Sequence, residues 1–174
     1  EEGEFIVTAL GGKAMPGRYA EFLGFLSKAT PQPIQIVHFA GHGRNAGAGE
    51  RGIEMEDGTV TLEDLTSSVI VGKDHKSLFV LNACEAAGAD FNLGVVESWP
   101  EQLIKLQFGA VIAPLWAVRD VHASEVIKDT LKCFVHDGLS LSEAMRRARA
   151  KHRGASSTPY AYLCYGDVMA KARR

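Results

Sequence analysis

The sequence predicts an α/β domain organised around a mainly parallel sheet. Five short apolar runs, rich in Val, Ile and aromatic residues, are continuous rather than alternating, which is typical of strands buried on both faces. Stretches with helical spacing of apolar residues separate these runs, and this order favours an α/β sandwich. The runs are Phe5–Leu10, Ile34–Ala40, Leu78–Ala83, Val111–Val118 and Tyr160–Tyr165.

The helices are predicted from apolar residues that recur every three or four positions. Ser140 precedes Glu143 by three residues, the spacing of a capping box, and indicates where the last helix begins. The predicted order is strand, helix, strand, hairpin, helix, strand, helix, strand, two helices, strand. The apolar stripes are Tyr19, Phe22, Leu23 and Leu26; Leu62, Leu65 and Val69; Ala123, Val126, Ile127, Thr130, Leu131 and Phe134; and Leu141, Ala144, Met145 and Ala148.

One segment interrupts the alternation of strands and helices. Residues 52–62 alternate in polarity around Asp57-Gly58, a dipeptide that favours a two-residue turn between antiparallel strands. We therefore expect a β-hairpin inserted in the fold. The loop before it is rich in Gly, and we expect Gly43–Gly52 to be poorly ordered.

Length and composition are those of one globular domain. The chain has 174 residues, of which 46% are apolar and 23% charged, so residues 1–174 can form a single domain with a sizeable core. Three Cys are too few for a disulfide framework and indicate reduced thiols in the cytoplasm. No apolar run approaches the roughly 20 residues that cross a bilayer, and no signal peptide opens the chain. Because a predicted strand begins near the first residue, we expect a C-terminal fragment of a longer protein.

The charge is unevenly distributed along the chain. Residues 1–139 carry a net charge of −8 and residues 140–174 a net charge of +6. A basic tail of this kind can contact RNA or an acidic partner, for example through Arg146, Arg147 and Arg149. The alternative, a solvated helix face that docks on an acidic body, is favoured.

Candidate catalytic side chains follow three of the predicted strands. In open α/β sheets, ligands bind outside the carboxyl ends of the strands. His42 follows the second strand between two glycines, Cys84 follows Leu78–Ala83, and Asp120 follows the strand that contains Trp116. A nearby imidazole lowers the pKa of a thiol and later protonates the leaving amine. The sequence therefore offers both parts of a Cys/His dyad.

Each of these residues also has an ordinary structural interpretation. A lone His at a strand exit is most often a polar surface residue, and a Cys after an apolar strand is most often part of the core. Asp120 fits the N-cap of the helix through Ala123 equally well. His38, inside an apolar run, is predicted to be a core histidine with its hydrogen bonds satisfied. Cys133 and Cys164 are predicted to be structural.

Other chemistries fit the sequence less well. Three Cys without a C-x-x-C pair argue against a structural zinc site, and no metal or organic cofactor is expected. Residues 41–46 match a dinucleotide-binding pattern, but a hairpin follows them where that pattern needs a helix. The sequence has neither a P-loop nor the G-x-S-x-G of serine hydrolases.

Five segments of the chain carry a pattern that is specific when they are taken together. They are His38-Phe-Ala-Gly-His-Gly43, Asp57-Gly58 with Leu62-Glu-Asp-Leu65, Leu81-Asn-Ala-Cys84, Ala113-Pro-Leu-Trp-Ala-Val-Arg-Asp120 and Gly138-Leu-Ser-Leu-Ser-Glu-Ala144. In this order they resemble the CHAT family of caspase-like cysteine peptidases, which are related to separase and usually follow TPR repeats. The resemblance covers nearly the whole chain and implies a caspase-like three-layer sandwich.

The resemblance implies a role for each matching residue. His42 is the expected general base and acid, Cys84 the nucleophile, and the backbone N–H groups of Gly43 and Cys84 the oxyanion hole. The segment from Trp116 to Asp120 is similar to the Trp-x-x-x-Asp of separase, whose Asp binds a basic P1 side chain. Asp120 is therefore expected to line the S1 pocket with Trp116 as a wall, and the neighbouring Arg either points away or neutralises this carboxylate.

The implied function is cleavage of a protein substrate by a cysteine endopeptidase that prefers a basic P1 residue. The expected partners are that protein substrate and an N-terminal TPR region of the same chain. An RNA-guided CRISPR effector complex of antiviral defence, as in some TPR-CHAT proteins, is a further expected partner and allosteric activator. No membrane is expected. The alternative is a catalytically silent caspase-like interaction domain that binds a protein or an RNA complex.

Overall fold

The computed structural model describes residues 2–45, 51–83, 98–116, 118, 120–154 and 156–173. The helices are α1 (Glu2–Leu10), α2 (Tyr19–Leu26), α3 (Val71–His75), α4 (Trp99–Lys105), α5 (Asp120–Val135), α6 (Leu141–Lys151) and α7 (Thr158–Ala161). The strands are β1 (Ile36–Gly41), β2 (Gly43–Asn45), β3 (Arg51–Met55), β4 (Gly58–Thr61), β5 (Leu78–Ala83), β6 (Ala110–Pro114) and β7 (Tyr162–Gly166).

The strands form one large sheet and one small sheet. The large sheet has the order β1-β5-β6-β7, in which β1, β5 and β6 are parallel and β7 is antiparallel to β6. The small sheet is antiparallel, with the order β2-β3-β4. The prediction of a mainly parallel α/β sheet with an inserted hairpin is therefore confirmed.

Both faces of the large sheet are covered, which gives the fold three layers. Along β5, Phe79 and Leu81 pack in a core with residues of α2, α4 and the small sheet, whereas Leu78 and Val80 pack with residues of α5 and α6. All four side chains are buried. Burial on both faces explains why this strand is a continuous apolar run in the sequence.

The strand predicted over Phe5–Leu10 is wrong, because these residues form most of helix α1. A run of six residues does not by itself distinguish a buried helix from a buried strand. In the structure the Thr8 hydroxyl donates to the Glu4 carbonyl one turn earlier, at 2.8 Å. The acidic residues of the first turn, Glu2 and Glu4, complement the positive end of the helix dipole.

The helix predicted over Leu62–Val69 is also wrong. This segment is a series of turns, and the shorter helix α3 follows it. Leu65 and Val69 are buried as expected. Thr66 and Ser68 compete with helix formation, since their hydroxyls bond to each other at 2.8 Å and Thr66 Oγ1 accepts from the Ser68 N–H at 3.4 Å.

The later elements follow the prediction with shifted ends. β6 ends at Pro114 rather than Val118, and helix α7 takes the first residues of the run Tyr160–Tyr165 before β7 begins. Ser140 is the N-cap of α6, because its hydroxyl accepts from the Glu143 N–H at 3.4 Å. The Glu143 carboxylate bonds to Arg146 and Arg147 instead, so the structure forms the Ser140 half of the predicted capping box.

Part of the Gly-rich loop is a strand. Gly43–Asn45 forms β2, in which Gly43 pairs with Ile53 of β3. The expectation of a poorly ordered Gly43–Gly52 is therefore wrong at both ends of the segment, and its residues 46–50 lie outside the described residues.

Candidate active site

The three parallel strands end at one edge of the large sheet. β1 ends at Gly41, β5 at Ala83 and β6 at Pro114. Because the strands run in the same direction, the residues that follow them leave the sheet at the same edge. The structure therefore confirms the parallel order of the three strands that precede His42, Cys84 and Trp116.

His42 lies where the chain passes from the large sheet to the small one. It follows Gly41 of β1 and precedes Gly43, the first residue of β2. The His42 carbonyl accepts a hydrogen bond from the Glu54 N–H of β3 at 2.9 Å, which holds the backbone at this point. The residue is exposed, which is compatible with the role of general base predicted for it.

Gly41 leaves room for an aromatic side chain beside His42. A Cβ at Gly41 would lie 2.8 Å from Cζ of Phe39, so the phenyl ring lies across the glycine. The same ring contacts Phe22 of α2 edge to face, with the centroids 6.2 Å apart. The absence of a side chain at Gly41 therefore allows the packing of Phe39 at this point.

Cys84, the predicted nucleophile, lies outside the described residues. The residue before it in the chain, Ala83, is buried and is the register partner of Gly41, the residue before His42. Of the two residues predicted to form the oxyanion hole, only Gly43 belongs to the described part of the chain. Gly43 is half-buried at the start of β2.

The two described cysteines are not activated thiols. Burial raises the pKa of the Cys164 thiol of β7 to about 11. Burial also raises the pKa of the Cys133 thiol of α5, and the Asp137 carboxylate adds to this shift. Both are protonated at neutral pH and are therefore poor nucleophiles, in agreement with the structural role predicted for them.

Trp116 presents apolar surface beyond the end of β6. Its side chain is 43% exposed, and the preceding Leu115 is anchored by its N–H, which donates to the Ala161 carbonyl at 2.9 Å. Asp120 is the first residue of α5, and the structure describes its backbone but not its side chain. Asp120 lies one position after the N-cap of α5 as the helix is bounded, which is within the one or two residues by which helix ends are defined, so both predictions for Asp120 stay open.

A largely buried cluster of polar side chains joins helix α1 to the strands β1, β5 and β7. Glu2 Oε1 lies 2.6 Å from Nε2 of His38, and Glu2 Oε2 accepts from Nδ2 of Asn82 at 2.7 Å. The Tyr162 hydroxyl donates to Oδ1 of Asn82. We call these four residues the Glu2 cluster.

The Glu2 cluster confirms His38 as a core histidine with a satisfied ring nitrogen. Sequence reasoning did not find its partner, because the N-terminal segment was predicted to be a strand. The signal in the sequence that could have indicated a helix here is Glu2 itself, because acidic residues are typical of the first turn of a helix.

Within the described ranges, no group of three or more His, Cys, Asp and Glu side chains is arranged to hold a metal ion. Nor does any helix in this part of the chain have the length and the apolar content needed to cross a lipid bilayer.

The arginines of α6 contact other parts of the same chain. Hydrogen bonds from Arg146 and Arg147 lower the pKa of Glu143 to about 2. Arg149 donates to the Tyr162 carbonyl at 2.5 Å and so ties α6 to β7. RNA binding through these residues would have to compete with contacts that they already make.

Comparison with protein families gives a match over most of the chain. The sequence model of the CHAT domain matches residues 16–166, a range that includes β1 to β7 and the predicted site residues His42, Cys84, Trp116 and Asp120. Helix α1 lies before the matched range. Comparison with curated proteins gives no match.

Proposed function

Because the chain belongs to the CHAT domain family, which is caspase-like and peptidase-related, we propose that it is a cysteine endopeptidase acting through Cys84 and His42. The observation that carries the proposal is the register of β1 and β5, in which Gly41 is the partner of Ala83. Neighbouring strands lie about 4.8 Å apart. His42 and Cys84 therefore each follow one member of a pair of residues that lie one strand spacing apart. An imidazole and a thiol can meet over this distance.

The proposed reaction has two stages. The Cys84 thiolate attacks the carbonyl carbon of the scissile bond, and the N–H groups of Gly43 and Cys84 stabilise the oxyanion. As the C–N bond breaks, His42 gives the leaving amine the proton that it took from the thiol, and a thioester is left on the enzyme. His42 then takes a proton from water, whose oxygen attacks the thioester, and the acid product leaves with the thiolate restored.

We propose that Asp120 and Trp116 bind a basic P1 side chain. A carboxylate accepts charge-assisted hydrogen bonds from Arg or Lys, and an exposed indole can cover their aliphatic stems. In support, Trp116 is exposed beyond β6, and Asp120 follows it at the first residue of α5.

The variant Asp120→Asn separates the two roles predicted for this residue. Asn caps a helix about as well as Asp but carries no charge. We expect unchanged thermal stability and at least about a tenfold loss of preference for Arg and Lys at P1, measured by mass spectrometry of products from a peptide library. Asp120→Ala should lose the same preference and also about 1 kcal/mol of stability. A retained basic preference in Asp120→Asn would contradict the S1 role.

Regulation by a partner is implied by the family resemblance and stays a prediction. We expect a TPR region, or an RNA-guided CRISPR effector complex, to raise the activity of the site. The catalytically silent interaction domain is the alternative function. The presence of both Cys84 and His42 argues against it, because a binding scaffold needs neither.

Selective alkylation of Cys84 is the experiment that tests the dyad. A thiol beside an imidazolium ionises below its usual pKa of about 8.5, whereas Cys133 and Cys164 stay protonated. We expect iodoacetamide at about pH 6.5 to label Cys84 at least about tenfold faster than the other two thiols. Mass spectrometry of the digested protein measures the three rates.

Two histidine variants serve as test and control in the alkylation experiment. His42→Ala should reduce the labelling rate of Cys84 to that of an ordinary exposed thiol. His136→Ala replaces an exposed histidine that follows α5 and should leave the rate unchanged. Equal labelling rates in wild type and His42→Ala would contradict the dyad and favour the interaction domain.

A further inference from the structure

We propose that Glu2 is a positioning residue, whose carboxylate clamps β1 to β5 near the strand ends that precede His42 and Cys84 in the chain. The inference rests on the proposed function, because it assigns Glu2 a role in aligning that dyad. Glu2 acts through His38 and Asn82 and does not touch the substrate.

The Glu2 carboxylate bridges two parallel strands. One oxygen lies 2.6 Å from Nε2 of His38 on β1, and the other accepts from Nδ2 of Asn82 on β5 at 2.7 Å. A carboxylate oxygen only accepts, so Nε2 of His38 carries the hydrogen. Asn82 pairs with Ala40 in the sheet, one position before the pair formed by the last residues of the two strands.

Burial makes this bridge sensitive to any shift of the strands. The side chains of Glu2 and His38 are each 8% exposed, and Tyr162, which donates to Asn82, is 1% exposed. A buried carboxylate that loses a donor retains its desolvation cost without compensation. A displacement of β1 relative to β5 would break one of the two hydrogen bonds, so the Glu2 cluster favours a single relative position of the strands.

The constraint falls on the edge that carries the proposed dyad. Asn82 is two residues before Cys84, and His38 is four residues before His42. Misplacing reacting groups by about 1 Å can lower a rate by about 10²-fold. A clamp this close to both strand ends therefore bears on whether the thiol and the imidazole meet.

Glu2 belongs to α1, which lies before the range matched by the CHAT domain. The apolar residues Phe5, Ile6 and Leu10 of α1 pack against the core that also contains residues of α5 and α6. The docking of α1 is thus coupled through one carboxylate to the β1–β5 edge.

The variant Glu2→Gln tests the clamp, because a glutamine offers one acceptor oxygen in place of two. We expect hydrogen exchange at the amides of residues 38–41 and 80–83 to be at least about fivefold faster than in wild type. We also expect the alkylation rate of Cys84 at about pH 6.5 to fall at least about fivefold, with its pH profile moved towards that of His42→Ala. In the His42→Ala background, Glu2→Gln should change the alkylation profile no further.

Two other variants complete the design. Glu4→Gln lies in the same first turn of α1 but is exposed, so it should leave both exchange and alkylation unchanged. Tyr162→Phe removes only the hydroxyl that donates to Asn82, and it is the milder variant if Glu2→Gln does not fold. As in Glu2→Gln, hydrogen exchange should become faster and alkylation of Cys84 slower, each by at least about twofold.

The outcomes separate the clamp from the dyad. Unchanged exchange in Glu2→Gln overturns the clamp, whatever the state of Cys84. If hydrogen exchange is faster in Glu2→Gln but the pH profile of Cys84 alkylation is unchanged, the positioning role is overturned and Glu2 has a structural role only. Faster exchange in a protein whose Cys84 labelling is independent of His42 contradicts the dyad, and the positioning role with it, while the clamp between the strands stands.

Discussion

Replacing Cys84 or His42 with Ala is expected to lower the rate of peptide cleavage by at least about 10³-fold. Cys84 forms the bond to the substrate, and His42 moves the proton in both stages, so each variant removes a required step. Because the two residues act as a unit, the double variant should be no slower than the slower single variant. Mass spectrometry of a mixed peptide library incubated with each variant measures the loss.

Matched controls distinguish loss of the dyad from general damage. Cys133→Ala replaces a half-buried thiol of α5, and His136→Ala an exposed imidazole. Both variants should cleave at about the wild-type rate. Wild-type activity in Cys84→Ala or His42→Ala contradicts the proposed mechanism. A wild type that cleaves nothing, and in which Cys84 labels no faster than the other thiols, contradicts the peptidase and favours the interaction domain.

The substitution Gly72→Ala is expected to destabilise the fold by about 2 kcal/mol or more, through backbone that cannot give way. Gly72 is buried in α3, and a Cβ there would lie 2.5 Å from the Leu106 carbonyl oxygen and 2.7 Å from the Phe108 nitrogen. The added methyl group would push α3 away from the connection between α4 and β6. Chemical denaturation, followed by circular dichroism, measures the change in the free energy of unfolding.

Gly24→Ala is the control for this clash, because Gly24 also lies in a helix, α2, with nothing within 4 Å of an added Cβ. Alanine has a higher helix propensity than glycine, so Gly24→Ala should stabilise the protein by up to about 1 kcal/mol. Opposite signs for the two variants are the expected result. A stabilising Gly72→Ala would show that α3 is not packed as tightly as the structure describes.

Local sequence patterns were sufficient to predict those elements whose environment is uniform along their length. β5 is buried on both faces and is a continuous apolar run, and the hairpin around Asp57-Gly58 has turn chemistry that admits few alternatives. α6 combines an apolar stripe with an N-cap at Ser140. In each case propensity and tertiary environment favour the same structure.

The errors fall where tertiary packing decides between conformations that the local sequence allows. Residues Phe5–Leu10 are apolar enough for a buried strand or a buried helix, and packing beside α5 selects the helix. In Leu62–Val69 the apolar spacing fits a helix, but the hydroxyls of Thr66 and Ser68 bond locally and the chain turns instead.

The sequence by itself determined the class of fold, the parallel order of the strands that precede His42 and Cys84, and the family pattern that motivates a peptidase. These follow from local signals, because burial and turn chemistry are encoded by neighbouring residues. Only the tertiary structure decided that Glu2 joins His38 and Asn82. Those hydrogen bonds connect residues 36 and 80 positions apart in the chain, so a helix must first be docked on the sheet before they can form.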